Sequence, residues 1–474
     1  MKKSILIIIC FLFTLILYSH PWKPSHYVIV DTDGGIDDMR AITMLLASPD
    51  VRVLAITVSP GALSAENAYV KVRSLLNSFY HEGIPVGSNR NVKYKSEEFQ
   101  FALKTAWGDE KNITATSAPD YLKVISDILS LEKTKIDFIC LGGMTTASRA
   151  LAEIPAFRTQ VKDFIWSSDG ETGFNYNIDK DASVKMLKQE IPVKMVKAFS
   201  SPDDIFYNNY LLGRIDSANT VYSKKISSFF RAQTSEIHAF SLSGTDEMSV
   251  IFLHYPELFL SKTAYNISDC TPSDPDGLRN AAVRILNGET VSRNQVIKEF
   301  PVEPSFYFDD LGPAVKEIIE KYGVDEWTSG VIANELHRHL GVFAIIGVKM
   351  GIRAREYFNT GVDEFTATSY AGSTPPMSCM NDGLQVSTGA TPGHGLLTVI
   401  NSATPSASVE FIYLNRKIKL TLKPELSEKI SSELKEINFV YGLDSNIYWE
   451  LVRKNSIKYW KDLDRHEIFL IEEM

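Results

Sequence analysis

At 474 residues the chain is longer than one ordinary hydrophobic core serves, so two or three domains are expected. Its 49 Lys and Arg against 58 Asp and Glu leave a formal charge of -9, which removes any electrostatic ground for nucleic-acid binding. The composition is otherwise that of a soluble globular protein.

In chain order, Lys2-Lys3 precede an apolar run from Ile5 to Leu17. That run is short for a membrane span, and a basic flank followed by an apolar stretch is the shape of a secretory signal peptide, here residues 1–19. Export to the periplasm or another extracytoplasmic space is expected. Leu17-Tyr18-Ser19 lacks the small-x-small cleavage pattern, so an uncleaved anchor tethering the protein to a membrane stays open. Cys10, Cys140, Cys270 and Cys379 are too few and too scattered for a disulfide scaffold.

After the apolar run Tyr27 to Val30 comes Asp31-Thr32-Asp33-Gly34-Gly35-Ile36-Asp37-Asp38, followed by an apolar-periodic segment from Met39. Four carboxylates this close raise one another's pKa, so some are protonated or a cation sits among them. With no His or Cys in the loop, a hard ion such as Ca²⁺ or Mg²⁺ fits better than zinc. An acidic cap on the following helix is the ordinary alternative.

Further strands are expected at Val51 to Val58, Lys135 to Leu141, Phe164 to Ser167 and Pro192 to Ala198, with helices at Ala65 to Phe79 and Tyr121 to Leu131. Such alternation predicts an α/β domain, an open mostly parallel sheet with helices on both faces. The aspartate loop, Gly142-Gly143 and Ser168-Asp169-Gly170 all fall at C-terminal strand ends, where such sheets collect ligands. From about Val324 the texture changes to a long helix over Val331 to Phe358, a Gly, Ser, Thr and Pro-rich segment from Thr366 to Gly395, and a β-rich and helical tail. Domains at 26–320 and 325–474, the second a smaller α+β unit, are the economical division.

The pattern Asp-Thr-Asp-x-Gly-x-Asp-Asp after a first strand resembles the signature of the inosine-uridine preferring nucleoside hydrolases. Val53 to Thr57, Leu141-Gly142-Gly143-Met144-Thr145, Phe174-Asn175-Tyr176-Asn177-Ile178-Asp179 and Thr245-Asp246 are similar to later segments of that family. The resemblance implies Ca²⁺ held by Asp33, Asp38, Asp246 and the Leu141 carbonyl. It implies Asp33 as the base that deprotonates the attacking water, with Asp37 and Asn175 gripping ribose hydroxyls, while Asp179 reads as structural. Departures are equally plain. Thr245 stands where the family has a His, Gly173 where it has a Glu that holds the ribose 5′-hydroxyl, Ala62 where it has an Asn, and Trp107 where it has a His. Trp107 is a candidate to stack on the aglycone, although packing is the commoner use of a Trp. His238 is a weak candidate for the lost acid.

His337-Arg338-His339-Leu340-Gly341, the run to Ala354, and Cys379-Met380-Asn381-Asp382-Gly383-Leu384-Gln385 through Thr391 resemble the E-type accessory subunit of formylmethanofuran dehydrogenase. His337, His339 and Cys379 form a borderline-soft donor set suited to Zn²⁺ or another transition metal. If both histidines were helical they would point about 200° apart, and a buried Cys with two cap-region histidines is the plain alternative.

The expected function is Ca²⁺-dependent hydrolysis of an N-ribosyl or related glycosidic bond in a small molecule, with altered specificity. The alternatives are a non-catalytic, metal-dependent module that binds a sugar-like ligand, and a transition-metal activity centred on the C-terminal domain. Assembly as a homo-oligomer is left open.

Overall fold

The computed structural model describes residues 24–90, 97–189, 191–200, 204–232, 242–290, 296–297 and 299–474. The N-terminal segment expected to act as a signal peptide or anchor, and His238, lie outside these. No helix among the described residues is long and apolar enough to cross a membrane.

Eight strands build the first sheet: β1 (His26–Thr32), β2 (Val51–Val58), β3 (Val86–Ser88), β4 (Ile136–Cys140), β5 (Val161–Ser167), β6 (Val193–Val196), β7 (Phe259–Ala264) and β8 (Ile267–Pro272). Their order is β3-β2-β1-β4-β5-β6-β8-β7, all parallel except the edge strand β7. Val28 and Val30 of β1 pack into one apolar cluster with the helices Ile36–Ala47 and Ala65–Ser78. Ile29 packs into the other, with Tyr121–Leu131 and Thr145–Glu153. Because neighbours on a strand face opposite ways, a strand such as β2, buried at every position, is covered on both sides. The predicted open sheet with helices on both faces is therefore what forms. Strand order reverses between β1 and β4, which opens a crevice at their C-terminal ends.

The sequence pattern does not reveal β3, β7 and β8. The first has three residues, and β7 buries only Phe259, so neither carries a periodic apolar signal.

The second, smaller sheet has the order β10-β9-β11-β12-β13, with β9 (Thr366–Ser369), β10 (Leu397–Val399), β11 (Ser408–Tyr413), β12 (Arg416–Leu422) and β13 (Phe469–Glu473). The long helix expected over Val331 to Phe358 is two helices, Val324–His337 and Val342–Phe358. Arg338 takes a left-handed conformation (φ 67°) and ends the first, while Asn334 Oδ1 accepts from the Gly341 amide at 2.8 Å and stabilises the break. Apolar residues continue on both sides of the turn, which hid it from periodicity. The Gly, Ser, Thr and Pro-rich segment also holds regular structure, namely β9 and the helix Met380–Thr388.

The two units pack through polar contacts. Arg52 pairs with Glu364, Arg353 Nη2 donates to Glu82 at 2.8 Å, and the buried His81 touches the Glu356 carbonyl through Nδ1 (2.6 Å) and the Tyr222 hydroxyl through Nε2 (2.8 Å).

Candidate active site

The crevice beside β1 and β4 is a cavity of about 550 Å³ whose floor is acidic. The turn after β1 carries Asp33, and the helix Ile36–Ala47 begins so that Asp37 and Asp38 fall in its first turn, where the helix dipole favours negative charge. Across the sheet Asp246 precedes the helix Glu247–His254, and Leu141 follows β4. Three chain segments thus converge on one spot.

Carboxylate oxygens of Asp37, Asp38 and Asp246 lie within 4.8 Å of one another. Asp38 Oδ1 accepts from the Thr32 hydroxyl (2.5 Å) and the Asp33 amide (3.1 Å), which fixes its orientation. Asp33 Oδ1 accepts from the Gly35 amide at 3.3 Å, and its other oxygen stands against Gly61, where any Cβ would collide with it. Sequence reasoning placed Asp33 among the ligands and Asp37 on the sugar. The group of carboxylates close enough to share an ion contains Asp37 together with Asp38 and Asp246, while Asp33 sits in the turn before them.

Burial pushes the carboxyls of Asp31, Asp33, Asp38 and Asp246 up. Asp38 rises to about 6, through burial and then the charge of Asp37. Asp33 and Asp246 rise well above the carboxylate range, through burial and then their acidic neighbours. Asp31 rises to about 7 through burial, against the opposing hydrogen bonds from the hydroxyls of Thr57 (2.6 Å) and Ser59 (3.0 Å). Asp246 is 1% exposed, and its Oδ1 has no hydrogen-bond partner. A buried, unpartnered carboxylate oxygen facing two other carboxylates fits a cation, which would relieve both the repulsion and the missing bond. The all-oxygen donor set selects a hard ion.

The Asn175 amide donates to the Leu141 carbonyl (2.6 Å) and the Ser167 carbonyl (3.0 Å), so only its Oδ1 is left to offer a ligand. Asp179 has a structural position, capping a helix through the Ala182 amide (3.0 Å) and accepting from the Thr145 hydroxyl (2.8 Å).

Trp107 is not in the cavity wall. It is 2% exposed and stacks on Phe229 with centroids 5.2 Å apart, so it serves the core and not the aglycone. The aromatic residues of the wall are Phe99, Phe101 and Phe174, of which Phe99 and Phe174 form a tilted pair at 5.0 Å, both about half exposed (49% and 46%). Phe99 is tied to the floor by its amide, which donates to the Ala62 carbonyl.

Sequence reasoning also missed the support beneath Asp246. Arg40 and Glu247 form a fully buried pair (Nε to Oε1, 2.5 Å), Arg40 also donates to the Ser243 carbonyl, and the Tyr207 hydroxyl donates to Glu247 at 2.8 Å. The second Glu247 oxygen accepts from the Thr245 amide at 3.0 Å, which pins the segment carrying Asp246. Opposite charges at Arg40 and Glu247 next to apolar runs, Glu247 directly following a candidate ligand, were the available signal.

In the second unit, His337 Nδ1 donates to Asp382 at 2.7 Å, and its ring lies 4.2 Å from that of His339. The left-handed turn at Arg338 removes the 200° separation that a continuous helix would impose. The predicted three-donor set is not assembled, however. Among the described residues, the one group of three or more such donors close enough to share an ion is Asp37, Asp38 and Asp246. Cys379 lies beside Asp382, and burial followed by that charge pushes its thiol up to about 11, away from the thiolate a metal needs.

Residues 28–318 match the family described as Inosine-uridine preferring nucleoside hydrolase. The chain belongs to that family. Residues 336–440 match a second family, described as FmdE, Molybdenum formylmethanofuran dehydrogenase operon. Among curated relatives of the nucleoside hydrolase part, the chain is 26% identical over 145 residues to a probable uridine nucleosidase 1 of Oryza sativa subsp. japonica, covering 29% of this chain and 45% of that protein. It is 25% identical over 185 residues to a pyrimidine-specific ribonucleoside hydrolase RihA of Salmonella enteritidis, covering 35% and 58%. The chain thus spans about half the length of the curated relatives it matches. A solved purine-preferring ribonucleoside hydrolase from Gardnerella vaginalis is similar with a TM-score of 0.45 and 15% identity, over 56% of this chain and 99% of that one.

Proposed function

We propose that the first domain is a Ca²⁺-dependent hydrolase of N-ribosyl bonds in small, nucleoside-like molecules, with a specificity of its own. The observation that supports it most is the buried carboxylate group with an unpartnered Asp246 oxygen, set beside the Leu141 carbonyl at the strand-order reversal. Asp38, Asp246 and the Leu141 carbonyl, with Asp33 and Asp37 alongside, are the atoms that would hold the ion. When bound, it supplies a fixed positive charge that acidifies water and polarises sugar hydroxyls.

Asp33, held by the Gly35 amide, is the base that accepts the proton of the attacking water. Asp37 and the free Oδ1 of Asn175 accept hydrogen bonds from the sugar. The negative potential of the floor stabilises the oxocarbenium-like sugar formed as the bond breaks. Phe99 and Phe174 cover the opposite side.

The titratable side chains of the described cavity wall are aspartates and one arginine, Arg40, already paired to Glu247. Thr245 supplies no proton comparable to an imidazolium, so substrates whose leaving groups depart without strong protonation should be preferred. The same feature favours a second reading, a metal-dependent module that binds a sugar-like ligand without cleaving it.

Calorimetry on Asp38→Asn tests the metal assignment directly. Ca²⁺ binding and ribosyl hydrolysis should both be lost, and undiminished Ca²⁺ affinity would remove the assignment. A broad nucleoside panel giving no chelator-sensitive ribose release, from protein that does bind Ca²⁺, would favour the binding module.

A further inference from the structure

The pair His337 and His339 is absorbed by neither the fold nor the proposed reaction. Asp382 is an acceptor, so its 2.7 Å bond to His337 Nδ1 places the ring proton there and leaves Nε2 as the lone-pair nitrogen of the neutral ring. That Nε2 is buried and has no partner. A buried ring nitrogen left bare opposite an oriented imidazole–carboxylate pair is the arrangement by which proteins present a histidine to a metal.

His339 is aimed at the same place. The edge of its ring meets Trp449 at 4.9 Å and 72°, and it borders a cleft of about 630 Å³ with Asn446, Glu450 and Arg453. Gly341 defines the space between the two rings. A Cβ built there would stand 3.0 Å from His337 Cδ2, 3.2 Å from His337 Nε2 and 3.6 Å from His339 Nε2, so the two rings close on one point beside Gly341, and the missing side chain lets them approach. The turn that achieves this is fixed by the left-handed Arg338 and by the bond from the Gly341 amide to Asn334.

We propose that His337 and His339, oriented by Asp382 and without Cys379, form a two-imidazole site for a borderline divalent transition cation, of which Zn²⁺, Ni²⁺ and Cu²⁺ are the class. Imidazole donors select these ions over Ca²⁺, and with two protein ligands the remaining coordination positions belong to solvent or an added anion. The site is independent of the aspartate floor of the first domain, so its success or failure leaves the proposed hydrolase reading untouched.

The test is calorimetric titration of untagged full-length protein with Zn²⁺ and with Ni²⁺, in saturating Ca²⁺. One site should be seen. His337→Gln and His339→Gln should each weaken it by more than tenfold, and Asp382→Asn by roughly 10- to 100-fold, as expected for an orienting partner. Gly341→Ala is the sharpest variant, because Gly341 has φ -115° and tolerates Ala in its backbone, while the new methyl would press on the edge of the His337 ring and drive the two imidazoles apart. It should abolish binding with the melting temperature kept within a few degrees. Cys379→Ser should leave affinity unchanged, and Co²⁺-loaded protein should show no thiolate charge-transfer band. Unaltered affinity in the His337 and His339 variants, when both melt like the parent, would overturn the proposal. So would loss of binding in Cys379→Ser.

Discussion

The aspartate floor of the first domain and the imidazole pair of the second are both built at the end of a helix, yet they are legible to very different degrees. The floor draws three of its carboxylates from a six-residue stretch, Asp33 to Asp38, and uses hard oxygen donors crowded at a helix start. The pair depends on one left-handed residue, on a glycine that leaves space and on Asp382, which lies 45 positions away. A site made by crowding announces itself in sequence, whereas a site made by a turn does not.

That contrast can be broken experimentally, beginning with the largest expected effect. Arg40→Met removes one partner of the buried pair beneath Asp246 and leaves the Glu247 charge uncompensated, which should cost roughly 3–5 kcal/mol in denaturant unfolding. It should also weaken Ca²⁺ binding while sparing the transition-metal affinity of the second unit. A change in both affinities would mean that the two regions are not independent.

Acid probes the seam between them. Burial holds His81 down to about 4, below its ordinary value of 6.5, so the unfolded chain binds a proton across that interval and the folded one does not. Stability from this group is complete above about pH 6.5 and is lost as pH falls toward 4, by up to about 3 kcal/mol. The difference between parent and His81→Gln melting curves isolates it from the aspartates, whose raised values act in the opposite direction. A parent-minus-variant difference that does not move between pH 7.5 and 4.5 would contradict this.

The smallest effect concerns the cavity wall. Trp107→Phe should cost stability alone, with KM for any substrate unchanged within twofold. Phe174→Ala should raise KM while leaving Ca²⁺ affinity and the melting temperature near those of the parent. The reverse pattern would return Trp107 to the site.

Much of the first domain was readable because its central strands are buried on both faces and are dominated by apolar, mostly β-branched residues, as β2 is. The aspartate loop was readable because few structural needs place four carboxylates beside two glycines. The edge strands β3 and β7 were not, since three residues are too few to show a period and β7 buries only Phe259. Trp107 misled because sequence carries its identity and not its direction, and here it points into the core against Phe229. The helix break at Arg338 escaped for a related reason, because apolar residues on both sides maintained the pattern across a turn that only backbone dihedrals reveal.

The most direct measurement is ribose release from a panel of purine and pyrimidine nucleosides by the full chain, with Ca²⁺ and with a Ca²⁺ chelator, run in parallel on Asp38→Asn. Release that requires Ca²⁺, stops with chelator and is absent in Asp38→Asn is the expected result. Release that persists unchanged in chelator, or in Asp38→Asn, would contradict a reaction carried by the aspartate floor.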